Sequence, residues 1–283
     1  MGPIESRFMM GYEDYIDEEP EERPRDAKID EAKDVLLGEL FRERSDEVFY
    51  GRQIEVLFEG RFFHWITSKA LRELVAEKKI ESEKLDLVDE TKVRFYWSKR
   101  NRYWKRQAES VRKVILEYSD EEFTRALGHQ AEILFSAALP TAGFLPVGQD
   151  VRSYRGREWT ESEHDLDRVF ERDGVGYGTE VKNTLSYIEK DELDVKLRMN
   201  EYLGLRPLFI MRMAPKSYVE MIRAAGGFAL IFKWQLYPYG AGRLAKKVHD
   251  LLGLPVDSPR RIEEGTVRRF VKWHEKSLKG KGV

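Results

Sequence analysis

An Asp-Gly step at positions 173–174 is the feature that most constrains this chain. Residues 165–171 and 177–182 on either side are strand-like. A two-residue hairpin turn of type I′ needs positive φ at both central positions, which Asp and Gly tolerate. A symmetric loop centred there sets Asp167 opposite Glu180 and Asp165 opposite Lys182. Strand side chains alternate, so all four project from one face. Directly opposed residues hold their Cβ atoms ~4.5–5.5 Å apart. Two bare carboxylates at that distance repel, and one is pushed towards protonation. A hard divalent cation removes the conflict, and the Lys182 ammonium beside the pair can hold a water or stabilise charge on a phosphate. The same residues would equally suit a cross-strand ion pair on a solvent-facing hairpin.

The hairpin sits inside a longer pattern. Ser119 followed by Glu122 reads as a capping box opening a helix that carries Phe123, Leu127, Ala131, Leu134 and Ala138. A strand follows at residues 144–151, then the hairpin at 166–182, a helix at 190–203, a strand at 207–213, a helix at 215–223 and a strand at 227–233. One antiparallel hairpin among αβ crossovers predicts an α/β domain with a mixed sheet, α+β overall. Upstream, helices are expected at 30–44 and 52–59, with a third capped by Thr67 whose apolar stripe is Leu71, Leu74 and Val75. Strand-like pieces at 85–88 and 93–97 complete the element order of a winged helix. A linker helix at 105–118 leads to a domain boundary near 119.

Length agrees with two domains: 283 residues exceed one average domain. We therefore divide the chain into an acidic arm (1–29), a winged-helix domain (30–104), a linker helix (105–119), an α/β domain (120–240) and a basic helical extension (241–283). Net charge is −7 over residues 1–31, +8 over 92–113 and +6 over 241–283, although the whole chain is near neutral at −2. That balance excludes a wholesale basic coat protein but not a local basic patch. The chain has no cysteine, which excludes disulfides, thiolate metal sites and cysteine nucleophiles. No run of about 18 apolar residues is present, so no membrane partner is expected. No signal peptide is visible, and a cytoplasmic, nucleoid-associated location is expected.

Asp167, followed on the next strand by Glu180-Val181-Lys182, resembles the signature of the PD-(D/E)XK nuclease superfamily, the restriction-endonuclease-like folds. The αβββαβ order of its core is similar to the order read above. Gln130-Ala131-Glu132 and then Gly143-Phe144 resemble the family's helix glutamate and its Gly-Phe entry into the first strand. The resemblance covers roughly residues 120–235. It implies Mg²⁺ (or Mn²⁺) held by Asp167 and Glu180 with the Val181 carbonyl, Lys182 assisting the hydrolytic water, and Glu132 in an outer role. It departs from the family in carrying Leu166, not proline, before Asp167. Asp165 shares the face and is an alternative metal aspartate. Glu-x-Lys also occurs at Glu31–Lys33, Glu77–Lys79 and Glu90–Lys92, so only its strand context distinguishes the 180–182 copy.

Asn183 is a candidate accessory residue for a phosphate or water, Gln149, at the end of the preceding strand, one for lining the cleft or for a surface turn, and His164 one for a proton. The run Gly174-Val175-Gly176-Tyr177-Gly178 mimics a phosphate loop but lacks a following Lys-Ser/Thr, so it reads as turn and strand. Candidate DNA contacts are Ser68, Lys69 and Arg72 on the third helix, with Arg94, Lys99, Arg100, Arg102, Lys105 and Arg106 interleaved with Phe95, Tyr96, Trp97, Tyr103 and Trp104. The expectation is a metal-dependent endonuclease acting on DNA as a homodimer, since two strands need two cuts. The alternatives are a silent DNA-binding regulator and a nuclease acting on RNA.

Overall fold

A computed structural model describes residues 26–87 and 91–279. The acidic arm expected over 1–29 lies outside the described residues as far as residue 25. The chain is α+β, and its described residues divide into two compact units, those up to residue 124 with 243–254, and 125–242 with those from 255 onward.

The first unit begins with α1 (Lys28–Leu36), which runs on as a wider helical turn over Leu37–Arg42. Then come β1 (Val48–Tyr50), α2 (Gly51–Phe58), α3 (His64–Ala76), β2 (Glu81–Asp86), β3 (Lys92–Trp97) and α4 (Trp104–Tyr118). The three strands form an antiparallel sheet in the order β1–β3–β2. Leu36, Phe49, Ile54, Leu71, Leu74 and Tyr96 are among the residues that close its core. Helix α2 starts where the Tyr50 amide donates to Gln53 Oε1 at 3.2 Å. Thr67 is not the cap of α3: the helix begins at His64, and Thr67 is buried inside it. Lys33 ties α1 to α3 by ion pairs to Glu73, at 3.0 Å, and to Glu77.

The second unit contains most of α5 (Glu121–Thr141), then β4 (Leu145–Val151), a small ribbon of β5 (Ser153–Tyr154) and β6 (Arg157–Glu158), β7 (Leu166–Arg172) and β8 (Val175–Lys182). It continues through α6 (Lys190–Leu203), β9 (Arg206–Met211), α7 (Lys216–Ala224), β10 (Phe228–Ile231) and β11 (Gln235–Leu236). After α8 (Gly242–Leu252) come β12 (Val256–Asp257) and α9 (Glu264–Lys279). The residues expected to form one basic extension therefore divide: 243–254 belong to the first unit, where Gln53 Nε2 donates to Leu252 O at 3.0 Å, and the rest to the second. Asp120, rather than Ser119, caps α5, because its Oδ1 accepts the Phe123 amide at 3.0 Å.

Five strands form one mixed sheet in the order β10–β9–β8–β7–β4. The pairs β4–β7 and β7–β8 are antiparallel, while β8–β9 and β9–β10 are parallel through the crossover helices α6 and α7. Alternation assigns the faces. Tyr177, Val181, Leu208 and Ile210 pack with α5 and α9. Phe209 and Met211 turn the other way, towards Leu193 of α6 and Ile222 of α7.

Candidate active site

The hairpin turn has the backbone its residues allow: Asp173 sits at φ 51° and Gly174 at φ 74°. From it the β7–β8 ladder runs from Arg172↔Val175 to Arg168↔Thr179, the expected register. It stops one pair short of Asp167 and Glu180. There the Asp167 side chain takes over, its Oδ2 accepting the Val181 amide at 2.6 Å. The glycine run is turn and strand. Gly178 lets α6 lie against β8: a Cβ there would collide with Asn200 Oδ1 and come within 2.7 Å of Leu166 Cδ1.

Glu180 and Lys182 alternate with Tyr177 and Val181, so they face α6, and α6 meets them with two side chains. Glu180 is 2% exposed and lies between two ammonium groups. Lys182 Nζ is 2.9 Å from its Oε1, and Lys196 Nζ is 2.6 Å from its Oε2. Lys182 also pairs with Glu192 Oε1 at 2.8 Å. Lys196, 4% exposed, donates in addition to the Asp165 backbone carbonyl, with the Asp165 carboxylate 3.9 Å away. The expected facing of Asp165 and Lys182 is thus replaced by two separate partnerships, Asp165 with Lys196 and Lys182 with Glu192.

The charges act on one another. Burial, then the charge of Glu180, pushes the Asp167 carboxyl up to about 7, against the Val181 amide and the two lysines that pull it down. Burial pushes the Lys182 ammonium down, but the carboxylates of Glu180 and Glu192 more than offset this and hold it protonated well above the ordinary lysine range. Lys182 is therefore a fixed positive charge and hydrogen-bond donor at neutral pH, not a proton acceptor.

Asp167 and Glu180 supply carboxylate oxygens that repel while both are charged. Glu180 Oε2, although close to Lys196, is buried without a well-aligned hydrogen bond among the described residues. Among the described residues no group of three or more His, Cys, Asp or Glu side chains is gathered for a metal. Two carboxylates and a backbone carbonyl are nevertheless a donor set that Mg²⁺ accepts, completing its shell with water and substrate phosphate.

The other candidates are distributed elsewhere. Glu132 is on α5, whose Ala131, Leu134 and Phe135 pack on the opposite face of the sheet from α6, and it pairs with His129 at 3.4 Å. Asn183 is not available to a phosphate. Its Nδ2 donates to Leu127 O and Leu236 O, both at 2.8 Å, and its Oδ1 accepts the Leu236 amide at 2.7 Å, so its amide clasps three backbone groups. Gln149 is exposed on the edge strand β4, opposite Arg168. His164 Nδ1 is hydrogen-bonded to Ser162 Oγ at 3.0 Å. Two residues of the cluster, Lys196 and Glu192, escaped the sequence reading. For Lys196 the signal was present: it falls within the apolar stripe Leu193, Met199 and Leu203 of α6, and a lysine there must find an acid.

On the first unit, Lys99, Arg100, Arg102, Lys105 and Arg106 are exposed and cluster around the turn from β3 to α4. Asn101 braces this turn by donating to Asp46 O at 3.0 Å and Gln107 Oε1 at 2.7 Å. Trp97 stacks on Trp104 at 3.9 Å, and Lys105 Nζ lies 5.5 Å from the Trp104 ring centre. Phe95 and Tyr96 are core residues rather than stacking surfaces, whereas Tyr103 is 76% exposed. Ser68, expected to face DNA, is buried and donates to Glu55 Oε1 at 2.5 Å, because this side of α3 is turned to α2. Lys69, Arg72 and Arg94 are half-buried.

Comparison with family models, with curated proteins and with solved structures finds no match for this chain.

Proposed function

We propose that the second unit is a divalent-metal-dependent nuclease of the PD-(D/E)XK type and that the first is a winged-helix module that brings it to DNA. The observation that carries the reading is the meeting of Asp167, Glu180 and Lys182 on one face of a mixed sheet, beside the helix that follows β8. Asp167, Glu180 and the Val181 carbonyl would hold Mg²⁺ or Mn²⁺. A bound cation supplies Lewis-acid stabilisation of a phosphodiester and lowers the pKa of a bound water. Lys182, fixed as a cation, donates hydrogen bonds that orient a water or offset negative charge on phosphate oxygens. Glu192 also holds that ammonium, and Lys196 holds Glu180 and the Asp165 carbonyl, so both act as positioning residues. Gln149 and Glu132 have no role in this reading. Exposed basic residues beside Tyr103 suit a phosphate backbone. Cutting both strands with one site per chain favours a homodimer.

A second reading, a catalytically silent DNA-binding regulator, draws on the same geometry. Glu180 is already paired with two lysines, so its charge is compensated without a metal. Conversion of supercoiled plasmid to nicked circles separates the two. The nuclease reading expects Mg²⁺-dependent nicking that falls at least a hundredfold in Lys182→Met with DNA binding retained. Equal products from wild type and variant would refute it. Duplex, junction, flap and RNA substrates run in parallel decide the substrate class.

A further inference from the structure

At the carboxyl end of the second unit's sheet, three strand ends are aligned. The Arg212 amide donates to Lys182 O at 3.1 Å and the Lys233 amide to Arg212 O at 3.0 Å, so Lys182, Arg212 and Lys233 lie side by side at the ends of β8, β9 and β10. Ligand crevices of open α/β sheets form outside this end. Lys233 takes φ 71°, and this left-handed turn breaks the strand and leads into Trp234. The segment that follows is tied to the proposed active site by buried amides. Asn183, the residue after Lys182, donates to Leu236 O and accepts the Leu236 amide, and Gln235 Nε2 donates to Asn183 O at 3.1 Å. Successive strand residues project from opposite faces, so Lys182 turns to α6 and Asn183 to β11, and the two flank one strand end. Trp234 and Tyr239 stand two and three residues from Leu236, which keeps each Cα within about 11 Å of it.

Both aromatic residues are turned outward: Trp234 is 44% exposed and Tyr239 67%. Gln235, Leu236 and Tyr237 between them are buried and anchor the segment. β12 fixes its other side. The Gln235 and Tyr237 amides donate to Pro255 O at 2.7 Å and Asp257 O at 2.6 Å, and Ser258 Oγ donates to Pro238 O at 2.8 Å. Arg260 follows, and its guanidinium lies over the Tyr239 ring, 5.0 Å from the centre. Lys233 and Arg260 are exposed, and Arg269, anchored by donating to Ile231 O at 2.6 Å, adds a cation at the end of β10. The exposed acid of β12 is engaged, since Asp257 Oδ1 accepts the Ser258 amide at 2.8 Å. Outward aromatic rings among fixed cations suit a single strand of nucleic acid, whose bases stack on the rings while its phosphates meet the cations. Inside a duplex each base is already stacked on its neighbours and out of reach. We propose that residues 233–239 with Arg260 form a platform for an unpaired strand of nucleic acid, on which Trp234 and Tyr239 stack bases and Lys233 and Arg260 meet phosphates. The strand is either DNA or RNA. The inference rests on the nuclease reading only in making this strand the substrate of the Asp167, Glu180 and Lys182 site; binding to the platform needs no cutting.

The test uses the full chain in EDTA, so that nothing is cut. Fluorescein-labelled oligothymidine and oligouridine strands of about 20 nucleotides, and a duplex of the same length, are titrated by fluorescence anisotropy at about 100 mM salt. Trp234→Ala and Tyr239→Ala should each weaken single-strand binding about 5- to 150-fold and leave duplex affinity unchanged. Tyr239→Phe, which keeps the ring, should bind as the wild type does. A bound single strand should also quench tryptophan fluorescence, and Trp234→Phe should lose that part of the quench. Circular dichroism checks that each variant is folded, and the two oligonucleotides distinguish DNA from RNA as the source. Single-strand binding that neither alanine variant alters, an equal loss on the duplex, or a wild type that binds neither single strand overturns the proposal. Because binding is read without metal, the outcome is separate from the plasmid assay: a chain that binds single strands through these rings but never nicks would uphold the platform and remove the nuclease reading.

Discussion

Replacing Asp167 by Asn is expected to make the protein more stable, and by an amount that depends on pH. In the fold the carboxyl is pushed up to about 7 by burial and by Glu180, against an ordinary value of 3.8. The sign follows from proton counting. Between these values the unfolded chain has released its proton while the folded chain still holds it, so raising the pH favours unfolding. The stabilising contribution is complete below pH 3.8, shrinks as pH rises, and is gone above about pH 7. At 1.36 kcal/mol per unit the total is about 4 kcal/mol at most, of which roughly 3 kcal/mol is lost between pH 5 and pH 8. Asn accepts the Val181 amide as Asp does but carries no charge. In EDTA, the melting temperature of Asp167→Asn should therefore exceed that of the wild type by roughly 6–12 °C more at pH 8 than at pH 5. Thermal denaturation of both proteins across that range measures the difference. A gap that does not change with pH, or a variant that is the less stable one at pH 8, would refute the electrostatic account of the carboxylate pair.

Lys196→Met should destabilise the chain by about 3–5 kcal/mol, because it strips a cation from a buried carboxylate. Glu180→Gln in the same chain should recover much of that loss, and denaturant titration of the four proteins of the cycle reads the coupling. Gly178→Ala should lose about 1–3 kcal/mol by driving α6 away from β8, and urea denaturation shows it; an unchanged midpoint would mean that the close approach of Asn200 is not needed. Ser68→Ala should lower stability by about 1–3 kcal/mol yet leave duplex affinity unchanged. Lys105→Ala should do the opposite, weakening binding and flattening its salt dependence by about one phosphate contact.

The hairpin was readable because its turn chemistry is local: Asp173-Gly174 alone determines which residues oppose one another from Arg172↔Val175 to Arg168↔Thr179. What happens one step further was not local. Asp167 exchanges a ladder position for the Val181 amide, and Lys196 reaches in from the next helix, 16 residues downstream of Glu180. Periodicity located α6 and most other helices because an apolar stripe repeats over several turns. It could not locate β1, a three-residue strand whose burial on both faces leaves no alternation to detect. Ser68 and Thr67 were misread for a common reason. Both are small polar residues that resemble surface or cap positions, and only the packing of α3 on α2 shows them to be interior. Asn183 looked like a phosphate ligand because it follows Lys182, whereas its partners, Leu127 and Leu236, are more than 50 residues away in either direction.

The cation grip itself is open to direct measurement. Manganese added to the wild type at pH 7 and followed by electron paramagnetic resonance should bind once per chain and release protons, since Asp167 must ionise to accept it. Glu180→Gln should lose that binding while remaining folded. If wild type and Glu180→Gln bind manganese alike, or if the wild type binds none with duplex DNA present, the carboxylate pair does not hold a metal and the nuclease reading fails with it.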